Sequence, residues 1–246
     1  VHIEHVRGTG TPVVLLHGGG VAGWMWRPLR QHLPSTLELI VPDLPGHDGS
    51  ASEPFVSRDH TAAELLRYLE SEVDRPFAVV GFSFGAQLAV QLAAIAPDRV
   101  SHAVVISAQA KPTRLPKLTI GLLSAAAPLA KNPKFARAQA KELFIPEELI
   151  DDYLQTSTQL TTSTLTKVVD DNIRFTIPPA WSDYPGSALV LAGQKERGVM
   201  KESAQRLQQA LPAGELEIVE GCGHGIPLQR PEWLAKRIGT LLGEGR

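Results

Sequence analysis

Phe77-Ala78-Val79-Val80-Gly81-Phe82-Ser83-Phe84-Gly85-Ala86-Gln87-Leu88 is the stretch on which the fold turns. The apolar run Phe77 to Val80 reads as a short strand buried on both faces. The run Ala86 to Ala96, rich in Ala and Leu and stopped by Pro97, reads as a helix whose small side chains let it lie close against a sheet. Between them, Gly81-Phe82-Ser83-Phe84-Gly85 fits G-x-S-x-G, a pattern that gains chemical meaning directly after a strand and directly before a helix. The serine then sits on a tight, strained turn. Glycine is needed on both sides because larger residues would collide with neighbouring backbone.

The same grammar extends in both directions. Pro12 to His17 is an apolar, β-rich run that ends in Gly18, Gly19 and Gly20, and Leu37 to Val41 is another, stopped by Pro42-Asp43-Leu44-Pro45-Gly46. Ala62, Leu65, Leu66, Leu69 and Val73 recur at helical spacing between the second and third strands. Val100 to Ile106, Ala188 to Ala192 and Leu216 to Val219 supply further strands. Lys201 to Leu211 and Pro231 to Leu242 supply further helices. This alternation predicts an α/β fold, a mostly parallel central sheet with helices on both faces. Lys111 to Trp181 breaks the rhythm: it holds helical patterns such as Glu147 to Gln159 and no strand. We read it as a helical insertion, about residues 110–182, within a single domain spanning 1–246.

Composition narrows the possible partners. With 24 basic and 26 acidic residues dispersed along the chain, no basic block exists to follow phosphates, which argues against nucleic acid. Cys222 is the single cysteine, so neither an intrachain disulfide nor a cysteine zinc cluster is available, and a reducing compartment fits. No apolar run approaches the roughly 18 residues of a spanning helix, and the first residues lack a secretory pattern. The expectation is a cytoplasmic protein acting on a small molecule away from membranes, its oligomeric state left open.

Gly221-Cys222-Gly223-His224-Gly225 follows the last strand, and a histidine in such a loop is free to project toward the strand ends. His224 is therefore the candidate general base for Ser83. His17 and His47, in turns near strand ends, read as loop braces. A carboxylate that orients the imidazole belongs between Ser83 and His224 in the chain. Glu196, three residues past Gly193, is the choice over Asp170, Asp171 and Asp183, although its neighbours Lys195 and Arg197 also suit a solvated charged loop. Backbone N–H groups of Gly19 and Phe84 are candidates for an oxyanion site. Trp24 and Phe82 are candidate pocket residues, and Cys222 reads as an inert thiol. No metal or organic cofactor is called for.

With these residues assembled, the chain resembles the α/β-hydrolase superfamily over nearly its whole length. His17-Gly18-Gly19-Gly20, Asp43-Leu44-Pro45-Gly46-His47, Gly81-Phe82-Ser83-Phe84-Gly85, Gly193-Gln194-Lys195-Glu196 and Gly223-His224 stand in that family's order. The resemblance implies a serine hydrolase acting on an ester-like bond through an acyl-enzyme, with the insertion as a helical cap over the pocket. The superfamily also includes lyases, cofactor-free perhydrolases and small-molecule receptors that retain the same residues. Two departures stand out. The family's Pro-Gly-His-Gly-x-Ser loop reads Pro45-Gly46-His47-Asp48-Gly49-Ser50, which we expect to alter a surface turn, and the acid is Glu where many members carry Asp.

Overall fold

Strands with no polar alternation must be covered on both faces, and the architecture follows from that requirement. The computed structural model describes residues 1–126 and 133–244. In chain order the elements are β1 (Ile3–Val6), β2 (Pro12–Leu16), α1 (Arg27–Arg30), β3 (Glu38–Pro42), α2 (Arg58–Glu72), β4 (Phe77–Phe82), α3 (Phe84–Ile95) and β5 (Val100–Ile106). Then come α4 (Pro116–Ala126), α5 (Pro133–Glu142), α6 (Ile150–Gln159), α7 (Thr162–Ile173), β6 (Ser187–Gly193), α8 (Gly198–Ala210), β7 (Glu215–Val219), α9 (Ile226–Gln229) and α10 (Pro231–Leu241).

The seven strands form one sheet in the order β1-β3-β2-β4-β5-β6-β7. All pairings are parallel except β1 with β3, where Ile3 lies opposite Pro42 and Val6 opposite Leu39. β1 is the strand that the apolar pattern does not reveal. As an edge strand it alternates half-buried and exposed residues, His5 and Ile3 facing inward against Glu4 and Val6. The parallel strands β2, β3 and β4 are buried at every residue.

Successive strand residues feed opposite faces, as the pleat demands. Val14, Leu16, Val79 and Val105 pack with Leu65 and Leu69 of α2, Leu88 and Leu92 of α3, and Leu207 of α8. Val13, Leu15, Val80 and Val104 pack on the other face with Leu29 of α1 and Leu234 and Ile238 of α10. Between β5 and β6 the described residues contain helices and no strand; residues 127–132 of that range lie outside the described residues. No described helix is long and apolar enough to cross a membrane.

The chain runs from β2 outward to β3 and returns to β4 on the other side of β2, so strand order reverses between β2 and β4. Open α/β sheets bind ligands at the carboxyl ends of the strands beside such a reversal. Gly18–Gly20 follow β2 at that point and Ser83 follows β4. A Cβ on Gly85 would lie 2.2 Å from the Leu16 carbonyl oxygen, which seats the start of α3 directly on the end of β2. Gly85→Ala is therefore expected to lower stability by about 1–3 kcal/mol through overpacking against backbone. Urea unfolding measures it, and a midpoint equal to wild type would mean that this approach tolerates a methyl group.

Candidate active site

Ser83 caps α3 with φ +54° and ψ −111°, the strained geometry expected of the turn. Its N–H is held by the Ile106 carbonyl at 2.8 Å. A Cβ at Gly81 would stand 2.1 Å from the Gly85 carbonyl oxygen, so both glycines are sterically required. The turn points the serine side chain away from the sheet, beside the first turn of α3, whose N–H groups have no acceptor within the helix.

His224 Nε2 lies 3.2 Å from Ser83 Oγ, and its Nδ1 lies 2.6 Å from Glu196 Oε1. The carboxylate accepts from Nδ1–H, which leaves the Nε2 lone pair facing the serine hydroxyl. Glu196 is 7% exposed although Lys195 and Arg197 on either side are exposed, so it turns inward from its charged loop. Its second oxygen, Oε2, accepts the Gly193 N–H at 2.8 Å and the Ser107 hydroxyl at 3.1 Å. The added methylene of Glu over Asp is taken up here, because the side chain folds back onto the turn from which it departs.

Ser107 escaped the sequence reading. It directly follows β5 with φ +55°, is buried, and its hydroxyl also lies 3.2 Å from the His224 carbonyl oxygen. Nothing in a lone serine after a strand marks it; only the meeting of β5, β6 and the histidine loop does.

His17 and His47 brace loops, as expected. Leu44 N–H donates to His17 Nε2 at 2.8 Å while His17 Nδ1 faces the Gly18 carbonyl at 2.7 Å. Gly20 N–H donates to His47 Nε2 at 3.2 Å, and His47 Nδ1 faces the Pro45 carbonyl. Each ring therefore carries its proton on Nδ1 and joins the Gly18–Gly20 loop to the Asp43–His47 loop. Asp43 adds a third tie through the Gly23 N–H at 2.8 Å. The expectation of a surface turn over Pro45–Ser50 is corrected: Pro45, Gly46, His47 and Ser50 are buried, leaving Gly49 exposed and Asp48 half-buried. The loop is used as packing for the glycine loop, which is why it is covered.

A model of the alpha/beta hydrolase family matches residues 13–237, nearly the whole described chain. The chain belongs to that family. It is 22% identical over 251 residues to a monoacylglycerol lipase of Homo sapiens, covering 92% of this chain and 73% of the relative. Lipase LipV of Mycobacterium tuberculosis is 35% identical over 107 residues, covering 43% of this chain and 41% of that one. An esterase structure from Exiguobacterium antarcticum superimposes with a TM-score of 0.84 at 19% identity, covering 98% of this hydrolase-family chain and 95% of the other. At that identity the likeness concerns the fold.

Within this family member, a cavity of about 110 Å³ reaches Ser83 and is bounded by Gly19 and Phe84 together with Leu165, Val168 and Asn172 of α7. Trp24 and Phe82 are not among its lining residues. Trp24 is buried and donates from Nε1 to Thr156 Oγ1 of α6 at 2.9 Å, while the Phe82 ring packs 5.0 Å from the His224 ring. Asp171 is engaged by Arg58 and Asp170 by Arg174, and Asp183 closes a short helical turn ahead of β6. Cys222 is buried, which raises its thiol above the usual range. Among the described residues no group of three or more His, Cys, Asp or Glu side chains is arranged to hold a metal ion.

Burial holds His17 well below the ordinary imidazole range and lowers His47 and His102 as well. Unfolding lets these rings bind protons near their ordinary pKa of about 6.5. Below that pH the unfolded state carries more protons, so their contribution to stability is full above it and is lost as pH falls. Asp43, raised by burial, acts with the opposite sign nearer the carboxylate range. Unfolding free energies from urea titrations should therefore fall from about pH 7.5 to about pH 5.5, by at most about 1.4 kcal/mol per pH unit per ring. His47→Gln should be less stable overall but show a shallower slope; an unchanged slope would remove His47 from this account.

Proposed function

We propose that this chain is a serine hydrolase that cleaves an ester-like bond of a small, partly apolar substrate through an acyl-enzyme intermediate. The observation that carries this reading is the continuous line from Glu196 Oε1 to His224 to Ser83 Oγ, ending at the cavity bounded by Gly19 and Phe84. The lipase and esterase names of its relatives agree with it.

In this mechanism Ser83 Oγ attacks the substrate carbonyl carbon as its proton passes to His224 Nε2. Glu196 holds the ring through Nδ1 and stabilises the imidazolium. The oxyanion is met by the N–H groups of Gly19 and Phe84, the latter at the N-terminus of α3, where the helix dipole also favours negative charge. His224 then protonates the leaving alkoxide. The remaining acyl group is removed by water, whose proton goes to His224 and returns to Ser83. Residues 1–246 act in this reading as a single domain, with the insertion of about residues 110–182 as its cap. Leu165 and Val168 from α7 supply the apolar wall that favours an aliphatic or aromatic group.

A fluorophosphonate should label Ser83, located by peptide mass analysis. Ser83→Ala should abolish labelling and lower turnover of a p-nitrophenyl ester series by about 10³-fold or more, with the fold retained. Glu196→Gln should slow labelling while leaving the fold intact. Absence of labelling in folded wild-type protein would instead favour a receptor-like use of the pocket. Labelling without ester turnover would favour a lyase or perhydrolase.

A further inference from the structure

Phe144 lies in the turn after α5, and its backbone is left-handed, with φ +59°. Phe144 N–H bonds to the Lys141 carbonyl at 3.1 Å and Ile145 N–H to the Ala140 carbonyl at 2.9 Å. These two bonds define a Schellman cap in which Phe144 occupies the position ordinarily given to glycine. A bulky aromatic there is a genuine outlier. The residue is also 39% exposed, so its place in the core does not explain the choice.

The ring lies instead on the histidine loop. A Cβ on Gly223 would stand 2.7 Å from Phe144 Cε2 and Cζ, and one on Gly225 would stand 3.1 Å from Phe144 Cδ2 and 2.6 Å from the Leu143 carbonyl oxygen. Gly223 and Gly225 are the two residues flanking His224. They give its backbone unusual freedom, yet Nε2 must be held beside Ser83. Gln229 Oε1 holds the Gly223 N–H at 2.9 Å, and the Ile226 N–H and Ser107 hydroxyl hold the His224 carbonyl. The Phe82 ring packs against the imidazole at 5.0 Å, and Phe144 adds a contact from the insertion.

We infer that Phe144 is a positioning residue that braces the His224 loop from the helical insertion, so that the placement of α5 sets the freedom of the imidazole. The strained backbone is the consequence of aiming the ring at the two glycines. This inference rests on the proposed role of His224 for its catalytic consequence, while the bracing itself is a structural matter.

Phe144→Gly separates the two, because it removes the ring and relieves the backbone at once. It should melt at or above the wild-type temperature, yet deuterium uptake by the peptide covering residues 221–226 should rise about tenfold in rate. Fluorophosphonate labelling of Ser83 and kcat for a p-nitrophenyl ester should fall roughly tenfold with KM within about twofold, as for a base displaced from its working geometry. Phe144→Tyr should restore both readouts. Unchanged uptake in Phe144→Gly would overturn the brace whether or not Ser83 reacts. Faster uptake with wild-type labelling would overturn its effect on His224. A wild-type protein that resists the fluorophosphonate would end the serine-hydrolase reading, with the uptake comparison still deciding the brace.

Discussion

The chain must reverse direction within one residue where β4 meets α3, and most of the site depends on how this is done. Ser83 takes φ +54°, a conformation that costs about 1–3 kcal/mol for a residue with a side chain. It persists because both flanks are fixed: β4 is buried at every residue between β2 and β5, and α3 buries its first seven residues. Gly81 and Gly85 let strand and helix approach to distances at which no Cβ fits. The strain is thus offset by packing on two sides, and the serine is left facing outward at the carboxyl end of the sheet.

Around that point, charge is handled by position along the strand ends. Glu196 is buried yet surrounded by donors, the Gly193 N–H, the Ser107 hydroxyl and the His224 ring. A buried carboxylate needs such a shell to offset its lost hydration. His17 and His47 take the opposite course, remaining neutral and serving as donor and acceptor between two loops. His17 and His47 are both buried, with ring centroids 5.1 Å apart, and would repel if charged. His224, which is only half-buried, is the ring directed at Ser83.

The helical insertion meets this centre through α7 and through the turn after α5. α7 brings Leu165, Val168 and Asn172 over Ser83, and Val168 also comes within 3.2 Å of where a Gly19 side chain would start. α6 is tied to the sheet domain's Trp24 through Thr156. The cavity at Ser83 is thus walled in part by α7 of the insertion and not by the sheet alone.

Read alone, the sequence determined the six parallel strands, the helices between them, the serine turn and the histidine loop. Those features are local: apolar runs, helical spacing and glycine punctuation need only neighbouring residues to act. The edge strand β1 was missed because Ile3–Val6 pairs with β3 through its backbone and carries no continuous apolar run. Tertiary structure alone decided that Glu196 turns inward between two exposed charges, that Trp24 and Phe82 are not among the residues lining the cavity at Ser83, and that most of the Pro45–Ser50 loop is buried. It alone brought Ser107 and Phe144 to the histidine loop. Ser83 and His224 are 141 residues apart, and contacts at such separation depend on strand order and loop packing, which no local pattern encodes.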